Sequence, residues 1–361
     1  MKSADVKRDV EDPLGERAGI PDGDVCDEPP HAASPALNAP TMTMACLDVS
    51  FTFEQILAAC PIRSENSRRA CAARCCGSEV SWSKRDNPCV ATRSALRAGR
   101  LGPGHSAMLS RLLDREPVVN AYLRSELRMG IDGGDWWGVA DAQGLRATAL
   151  GGALVVPCIP KPEDARTLGE TLAASATPRM LVGPRDAVLA LHDALGRAAR
   201  EVRDPQYLMV VDRQTFRPQV PSAVRRARRS DVDALVVAAA AMHREEMGVD
   251  PLSIDAPGWR ARMASLVDRG WSWVWTEHGT VIFKAELSAW TPNVVQIQGV
   301  WTHPAQRSHG VGRAGLASVC EALFDEVPLC TLYVNHYNTV AIALYRGLGF
   351  QKIADFATVI Y

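Results

Sequence analysis

Two short runs near the end of this 361-residue chain hold residue types able to do chemistry. The first is Arg307-Ser308-His309-Gly310-Val311-Gly312, between a strand-like segment and a helix-like one. Glycines at such a turn let successive backbone N–H groups converge and let a ligand approach the chain closely. The N-terminus of the following helix adds positive partial charge. The run reads as a cradle for a pyrophosphate. It lacks the Lys-Ser/Thr pair of a nucleotide-hydrolysing loop. Gly310-Val311-Gly312-Arg313-Ala314-Gly315 also spells GxGxxG. A dinucleotide fold wants an acidic residue about 20 positions on, at the end of the next strand. Here that strand ends in Asn335-His336, so the third glycine is assigned to helix packing.

The second run is Asn338, Ala341, Tyr345 and Gly349-Phe350, after the strand-like Leu329–Val334. Spacings of three and four put Asn338, Ala341 and Tyr345 on one helical face. A tyrosine there projects its phenol back towards the strand ends and the glycine turn.

At these residues the chain resembles the GNAT family of acyl-CoA N-acyltransferases. The matching runs are Gly299-Val300-Trp301-Thr302-His303-Pro304, then Arg307…Gly310…Gly312, Leu332-Tyr333-Val334-Asn335, and Asn338…Ala341…Tyr345…Gly349-Phe350, within about residues 223–361. The resemblance implies acetyl-CoA as the acyl donor and an amine as acceptor, a small molecule or a protein amine. It implies that Val300, Trp301 and Thr302 meet pantetheine. Arg307, Ser308, His309, Gly310, Val311 and Gly312 would hold phosphate, Asn338 would touch the cofactor, and Tyr345 would protonate the leaving thiolate. The acyl group is acetyl in the simplest case, and no metal is required.

A protonated amine must lose its proton before attacking a thioester. Glu286, on the strand before Val294–Trp301, is the carboxylate candidate for that base, although pairing with Lys284 or Arg307 is an equal reading. Gln296 and Gln298 are amides and cannot take the proton usefully. His303 and His336 can relay a proton or simply close strand ends. Cys320 reads as a packed residue, since no matched base accompanies it. Glu245 and Glu246, near the end of the helix 235–247, can border the acceptor cleft. Arg225, Arg226, Arg228 and Arg229 read as a solvated charged edge rather than a phosphate site.

The elements that must position these groups follow from periodicity. Ala223–Ala227 reads as a strand and Ser230 as an N-cap with acidic residues behind it. Helices are expected at Leu235–Met247, Pro257–Arg269, Arg307–Asp325 and Thr339–Leu348. Strands are expected at Trp271–Glu277, Thr280–Leu287, Val294–Trp301, Leu329–Val334 and Phe350–Tyr361. The order is β-α-α-β-β-β-α-β-α-β. Trp271, Trp273 and Trp275 repeat at strand period and are expected to share one sheet face. Residues 216–221, with two prolines and no apolar period, read as a linker.

Residues 105–215 alternate strands and helices and are expected to form a smaller α/β domain. They resemble the N-terminal domain that precedes such a catalytic domain in some bacterial two-domain acetyltransferases, through Gly151–Pro157, Val182–Arg185 and Glu201–Gln206. A degenerate copy of the same fold is one reading of it. It carries no glycine turn and is assigned no cofactor.

Residues 1–104 differ. The first thirty hold nine acidic and four basic residues, and 63–100 hold nine basic and three acidic. Without a sustained apolar period, such a stretch buries too little surface to offset its ordering entropy. It is expected to be mostly disordered, with a short helix near Phe53–Ala59. Seven of the ten cysteines lie before residue 90, and their spacing fits free thiols in a reducing cytoplasm better than a zinc module.

The net charge of -1 argues against a protein that coats nucleic acid or an anionic membrane. No apolar run reaches the roughly 18 residues that span a bilayer, and the charged start does not read as a secretory signal. The combined expectation is a cytoplasmic α/β protein, a mixed-sheet GNAT-like domain at 222–361 behind the smaller domain. It would transfer an acyl group from acyl-CoA to an amine by direct attack. The alternatives are a non-catalytic acyl-CoA-binding sensor or regulatory protein, and an RNA-associated protein using 63–100. Oligomeric state and acceptor are left open.

Overall fold

The computed structural model describes residues 96–361. The helix expected near 53–59, the cysteine cluster before residue 90 and the disorder expected up to residue 95 lie outside the described residues.

The first half of the described chain runs β1 (Arg97–Arg100), α1 (Ser106–Leu113), α2 (Ala121–Met129), β2 (Asp135–Asp141), β3 (Gly144–Gly151), β4 (Leu154–Cys158), α3 (Ala165–Ser175), β5 (Met180–Pro184), α4 (Arg185–Leu195) and β6 (Glu201–Asp212). The second runs β7 (Arg225–Arg226), α5 (Val232–Met247), α6 (Leu252–Asp268), β8 (Ser272–Glu277), β9 (Thr280–Trp290), β10 (Val294–Thr302), α7 (Val311–Phe324), β11 (Leu329–Asn335), α8 (Thr339–Gly347) and β12 (Gln351–Ile360). Both follow the order β-α-α-β-β-β-α-β-α-β. The first half is therefore a topological copy of the second.

Two details differ from the sequence reading. Strand β1 lies inside the stretch expected to lack order. Arg97-Ala98-Gly99-Arg100 has no apolar period, and its order comes from backbone pairing with β2 at the sheet edge and from the burial of Leu101 behind it. Ser230 does not cap α5; Asp231 precedes the helix, its carboxylate accepting from the Arg228 N–H at 2.7 Å and from the Arg225 guanidinium at 2.7 and 2.9 Å.

The strands form one sheet, in the order β1-β2-β3-β4-β5-β12-β6-β11-β10-β9-β8-β7. Its centre is a reciprocal exchange. Strand β6, the last of the first half, lies between β11 and β12 of the second. Strand β12, the last of the second half, lies between β5 and β6 of the first. Residues 213–224 contain no helix or strand, so the expected linker separates the halves along the chain. In space each half completes the other.

The core follows this arrangement. Met209 and Val211 of β6 are buried in one cluster with Phe283, Leu316, Cys320 and Leu332 of the second half. Trp273 is buried in that cluster and Trp271 and Trp275 pack against it, as their period requires. Gly315 of α7 lies on the Phe283 ring, where a Cβ would come within 2.7 Å, so the third glycine of GxGxxG serves helix packing. Cys320 is buried against Cys330, which with burial pushes its thiol pKa up. Among the described residues no helix is long and apolar enough to cross a membrane.

Candidate active site

Strands β10 and β11 are parallel and pair only from Val294–Gln296 to Leu329–Thr331. Beyond Gln296 they part. The cause is local to β10: its register with β9 shifts between Gln298 and Trp301, and Gly299 in that shift has φ +58. A bulge of this kind bends its strand and turns it from its neighbour. A Cβ at Gly299 would meet Glu286 Oε2 at 3.0 Å and Lys284 Nζ at 3.1 Å, a second reason for glycine. The parted strands open a cleft of about 260 Å³. Its walls take Gly299 and Val300 from β10, Asn335 from β11, Asn338 and Tyr345 at α8, and His243 and Glu246 from α5. Arg262 of α6 and Arg203 and Gln206 of β6 complete it. The exchanged strand thus brings first-half side chains into a second-half site.

The glycine turn leads from β10 into α7. Ser308 has φ +66, costly for a residue with a Cβ, and Gly310 has φ +82. The first N–H groups of α7 lack helical acceptors, as at any helix start. Gly312 faces Thr302 and Leu344, a Cβ there reaching Thr302 Oγ1 at 2.9 Å. Ser308 and His309 are exposed. The Val311 and Trp301 side chains are buried in hydrophobic clusters, so only their backbones are available to a ligand. Arg307 turns its guanidinium away from the turn, donating to Thr302 O at 3.1 Å and Glu245 Oε2 at 2.6 Å. Glu245 also accepts from Trp301 Nε1 at 3.3 Å. What the turn offers an anion is therefore backbone N–H rather than the Arg307 charge.

Asn338 caps α8, accepting from the Ala341 N–H at 3.1 Å. Tyr345 is 9% exposed and its ring lies 5.8 Å from that of Phe350. Among the described residues its hydroxyl makes no hydrogen bond. Burial, and behind it the nearby Glu246 carboxylate, push the phenol pKa up, so the group stays protonated and keeps a proton to give.

Glu286 lies in the cleft wall but is not free. Lys284 Nζ donates to its Oε1 at 2.7 Å and to Gly299 O at 3.1 Å, and both side chains are buried. Of its two expected partners the structure selects Lys284. The Gln206 amide joins three strands, donating to Asn335 Oδ1 at 2.8 Å and accepting from Thr358 Oγ1 at 2.6 Å. His303 accepts from Ala305 N–H and His336 lies beside Pro205 O, so both close strand ends. Arg225, Arg226 and Arg229 are held by Asp231, Glu326 and Asp268.

Three groups outside the expected catalytic set stand in the cleft. Glu246 presents a carboxylate with no side-chain partner among the described residues. Desolvation pushes its pKa up; Lys284 and Arg203 oppose this, while Glu286 and Glu245 add to it. His243 is buried beside Trp259, and desolvation, with the Arg262 charge, keeps its imidazole neutral. Arg262 sits among Trp259, Met263 and Val267 on the buried face of α6. A charged residue at a core position of that helix was the signal available in the sequence.

The first half shows why a copy of the fold need not copy the site. Strands β4 and β5 also pair in parallel and only briefly. The segment after β4 has no glycine turn, and Asp164 is fully buried at the start of α3, ion-paired with Arg146 at 3.0 Å. A carboxylate there occupies the position that a phosphate takes at a helix N-terminus.

Comparison with known proteins agrees with this geometry. Residues 242–350 match the acetyltransferase (GNAT) family model, and 134–235 match a domain of unknown function, DUF4081. No curated protein matches the chain in sequence. Among solved structures, it is similar to a GCN5-related N-acetyltransferase from Sphaerobacter thermophilus, at 18% identity over 73% of this chain and 94% of that one, with a TM-score of 0.51. A Drosophila protein aligns at 16% identity over 74% of this chain and 99% of that one, also at 0.51. A tandem GNAT protein from the clavulanic acid biosynthesis pathway aligns at 14% identity over 73% and 98%, at 0.47. The first two show the fold over a span that neither half fills alone. The second half of this chain, matched over residues 242–350, belongs to the GNAT family of acetyltransferases, whose chemistry is acyl transfer from coenzyme A.

Proposed function

We propose that the protein transfers an acyl group, acetyl in the simplest case, from acyl-CoA to an amine by direct attack. The observation that carries this reading is one cleft with an open strand edge, a glycine-bearing helix start and a protonated phenol. Pantetheine would pair with the free edge of β10 around Val300–Thr302, and the pyrophosphate would lie on the N–H groups of Gly310–Gly312. A backbone N–H near Val300 would receive the oxyanion of the tetrahedral intermediate. Tyr345 would protonate the departing thiolate. We assign the base to Glu246 in place of Glu286. Glu286 is buried and already occupied by the Lys284 ammonium at 2.7 Å, whereas Glu246 is exposed to the cleft, has no side-chain partner among the described residues, and has its pKa raised. Glu286 would act by holding Lys284 and the bulge at Gly299. The test is titration with acetyl-CoA followed by single-turnover transfer across an amine panel. Binding without transfer to any amine would favour the sensor reading; no binding would remove both.

Two expectations attach to this scheme. Gly312→Asp should reduce acetyl-CoA affinity by about 100-fold, equivalent to about 2.8 kcal/mol, through lost approach to the helix start and a repelling carboxylate. Calorimetric titration beside a thermal melt checks it, because the side chain also crowds Thr302. Unchanged affinity would make the turn a structural helix start. The second concerns pH. A base works deprotonated, so the transfer rate should rise with pH through the Glu246 pKa, above the ordinary carboxylate range. Glu246→Gln should flatten that limb and lower the rate by about 10²–10⁴. A wild-type profile with no rising limb above the ordinary carboxylate value would exclude Glu246.

A further inference from the structure

Arg262 is 8% exposed and lines the cleft. Among the described residues its guanidinium makes no hydrogen bond and no ion pair. Leaving a charge buried and unmatched is costly, and folds ordinarily pair it or replace it. The neighbouring charges are already committed. The Glu286 carboxylate, whose charge reaches Arg262 through space with that of Tyr122 behind it, spends its hydrogen bond on Lys284 at 2.7 Å. Arg203 is met by Glu201 at 2.7 Å. His243, against the same helix, is neutral and offers no negative charge. Glu246 stands among the cleft-lining residues but makes no ion pair with Arg262.

Resting on the acyltransfer reading of this same cleft, we infer that Arg262 receives the carboxylate of the acceptor, so that the acceptor is a small amino carboxylate, an amino acid or a close relative. Three observations select this class. The guanidinium is a planar fork that matches a carboxylate with two parallel hydrogen bonds. A phosphate carries nearly two charges and would need a second cation, and Lys284 is not available. The cleft, at about 260 Å³, is below the usual range for drug-sized ligands. With the carboxylate on Arg262 from α6 and the base on Glu246 from α5, the amine would lie between the acceptor helices and the thioester. Glu246 removes its proton, the nitrogen attacks the thioester carbon, the C–S bond breaks, and the thiolate takes its proton from Tyr345.

The test uses the unaltered full-length protein first. At fixed acetyl-CoA, each amino acid is compared with the amine lacking its carboxylate and with a phosphate-bearing amine. The amino acid is expected to win by about 10²–10³-fold in kcat/KM, the scale of a buried charge pair broken on one side. Equal or better transfer to the plain amine, or to the phosphate-bearing one, overturns the inference while leaving acyltransfer standing. If nothing is acetylated, calorimetric binding of the amino acids to the acetyl-CoA-saturated protein decides. Binding supports the carboxylate site although the acyltransfer reading has failed, and no binding overturns the site as well. Arg262→Met then separates binding from structure. It should abolish the preference and leave acetyl-CoA affinity unchanged. It should also raise the melting temperature, because an unmatched buried charge is replaced by an apolar side chain of similar length. Retained preference in a folded Arg262→Met protein overturns the inference.

Discussion

Tyr345→Phe should lower single-turnover acyl transfer by about 10²–10⁴-fold, the usual cost of losing a general acid. Acetyl-CoA affinity should change by less than about tenfold, since one lost hydrogen bond to a ligand is worth about 0.5–1.5 kcal/mol. The geometry makes this substitution unusually clean. The Tyr345 hydroxyl has no hydrogen-bond partner among the described residues, and the ring packs near Phe350. Removing the oxygen therefore leaves the contacts of the ring in place and strands no other polar group. The melting temperature should stay within a few degrees of wild type. A purely structural tyrosine would predict the reverse pattern, a modest stability change with an unaltered rate. The measurement is rapid-mixing transfer from acetyl-CoA to an accepted amine, beside equilibrium binding, for both proteins. Equal transfer rates would take Tyr345 out of the mechanism. The raised phenol pKa adds a second readout. In wild type the rate should fall only at strongly alkaline pH, where the proton is finally lost, and the variant should lack that fall.

Why Tyr345 was legible in the sequence and Arg262 was not is a question of period. Asn338, Ala341 and Tyr345 advertise themselves by spacing beside a glycine turn, and they line the same cleft. The second-half helices and strands follow from the same periodicities, with ends displaced by a few residues. Arg262 is a single charged residue on a helix whose buried positions are otherwise ordinary, and its meaning depends on which groups surround it in space. Glu286 shows the intermediate case. Period two places it on the same strand face as Lys284, so their pairing was foreseeable, and the choice of Lys284 over Arg307 appears only with the 2.7 Å contact. Glu246 was visible as a residue near a helix end; its lack of a side-chain partner among the described residues was not.

The exchange of β6 and β12 is the part of the fold that local pattern could not reveal. Each reads as an ordinary strand, and alternation says which face is buried without saying which strand lies alongside. Its consequence is testable on a large scale. A fragment of residues 222–361 should not fold alone, although it holds the whole glycine turn and Tyr345. Without β6 it loses the ladder along β11 from Leu329 to Asn335 and the ladder along β12. It also loses Met209 and Val211 from its core and Gln206 from between Asn335 and Thr358. The two apolar side chains alone represent about 3–6 kcal/mol, set against a total domain stability of about 5–15 kcal/mol. Two unpaired inner edges would then invite aggregation. Residues 96–361 should fold and bind acetyl-CoA, and separate fragments 96–215 and 216–361 should recover binding only when produced together. Circular dichroism, sedimentation and acetyl-CoA titration of the three preparations decide the matter. A monomeric, cooperatively melting 222–361 fragment with undiminished acetyl-CoA affinity would show that the second half closes its own sheet, and that β6 is a neighbour rather than a structural necessity.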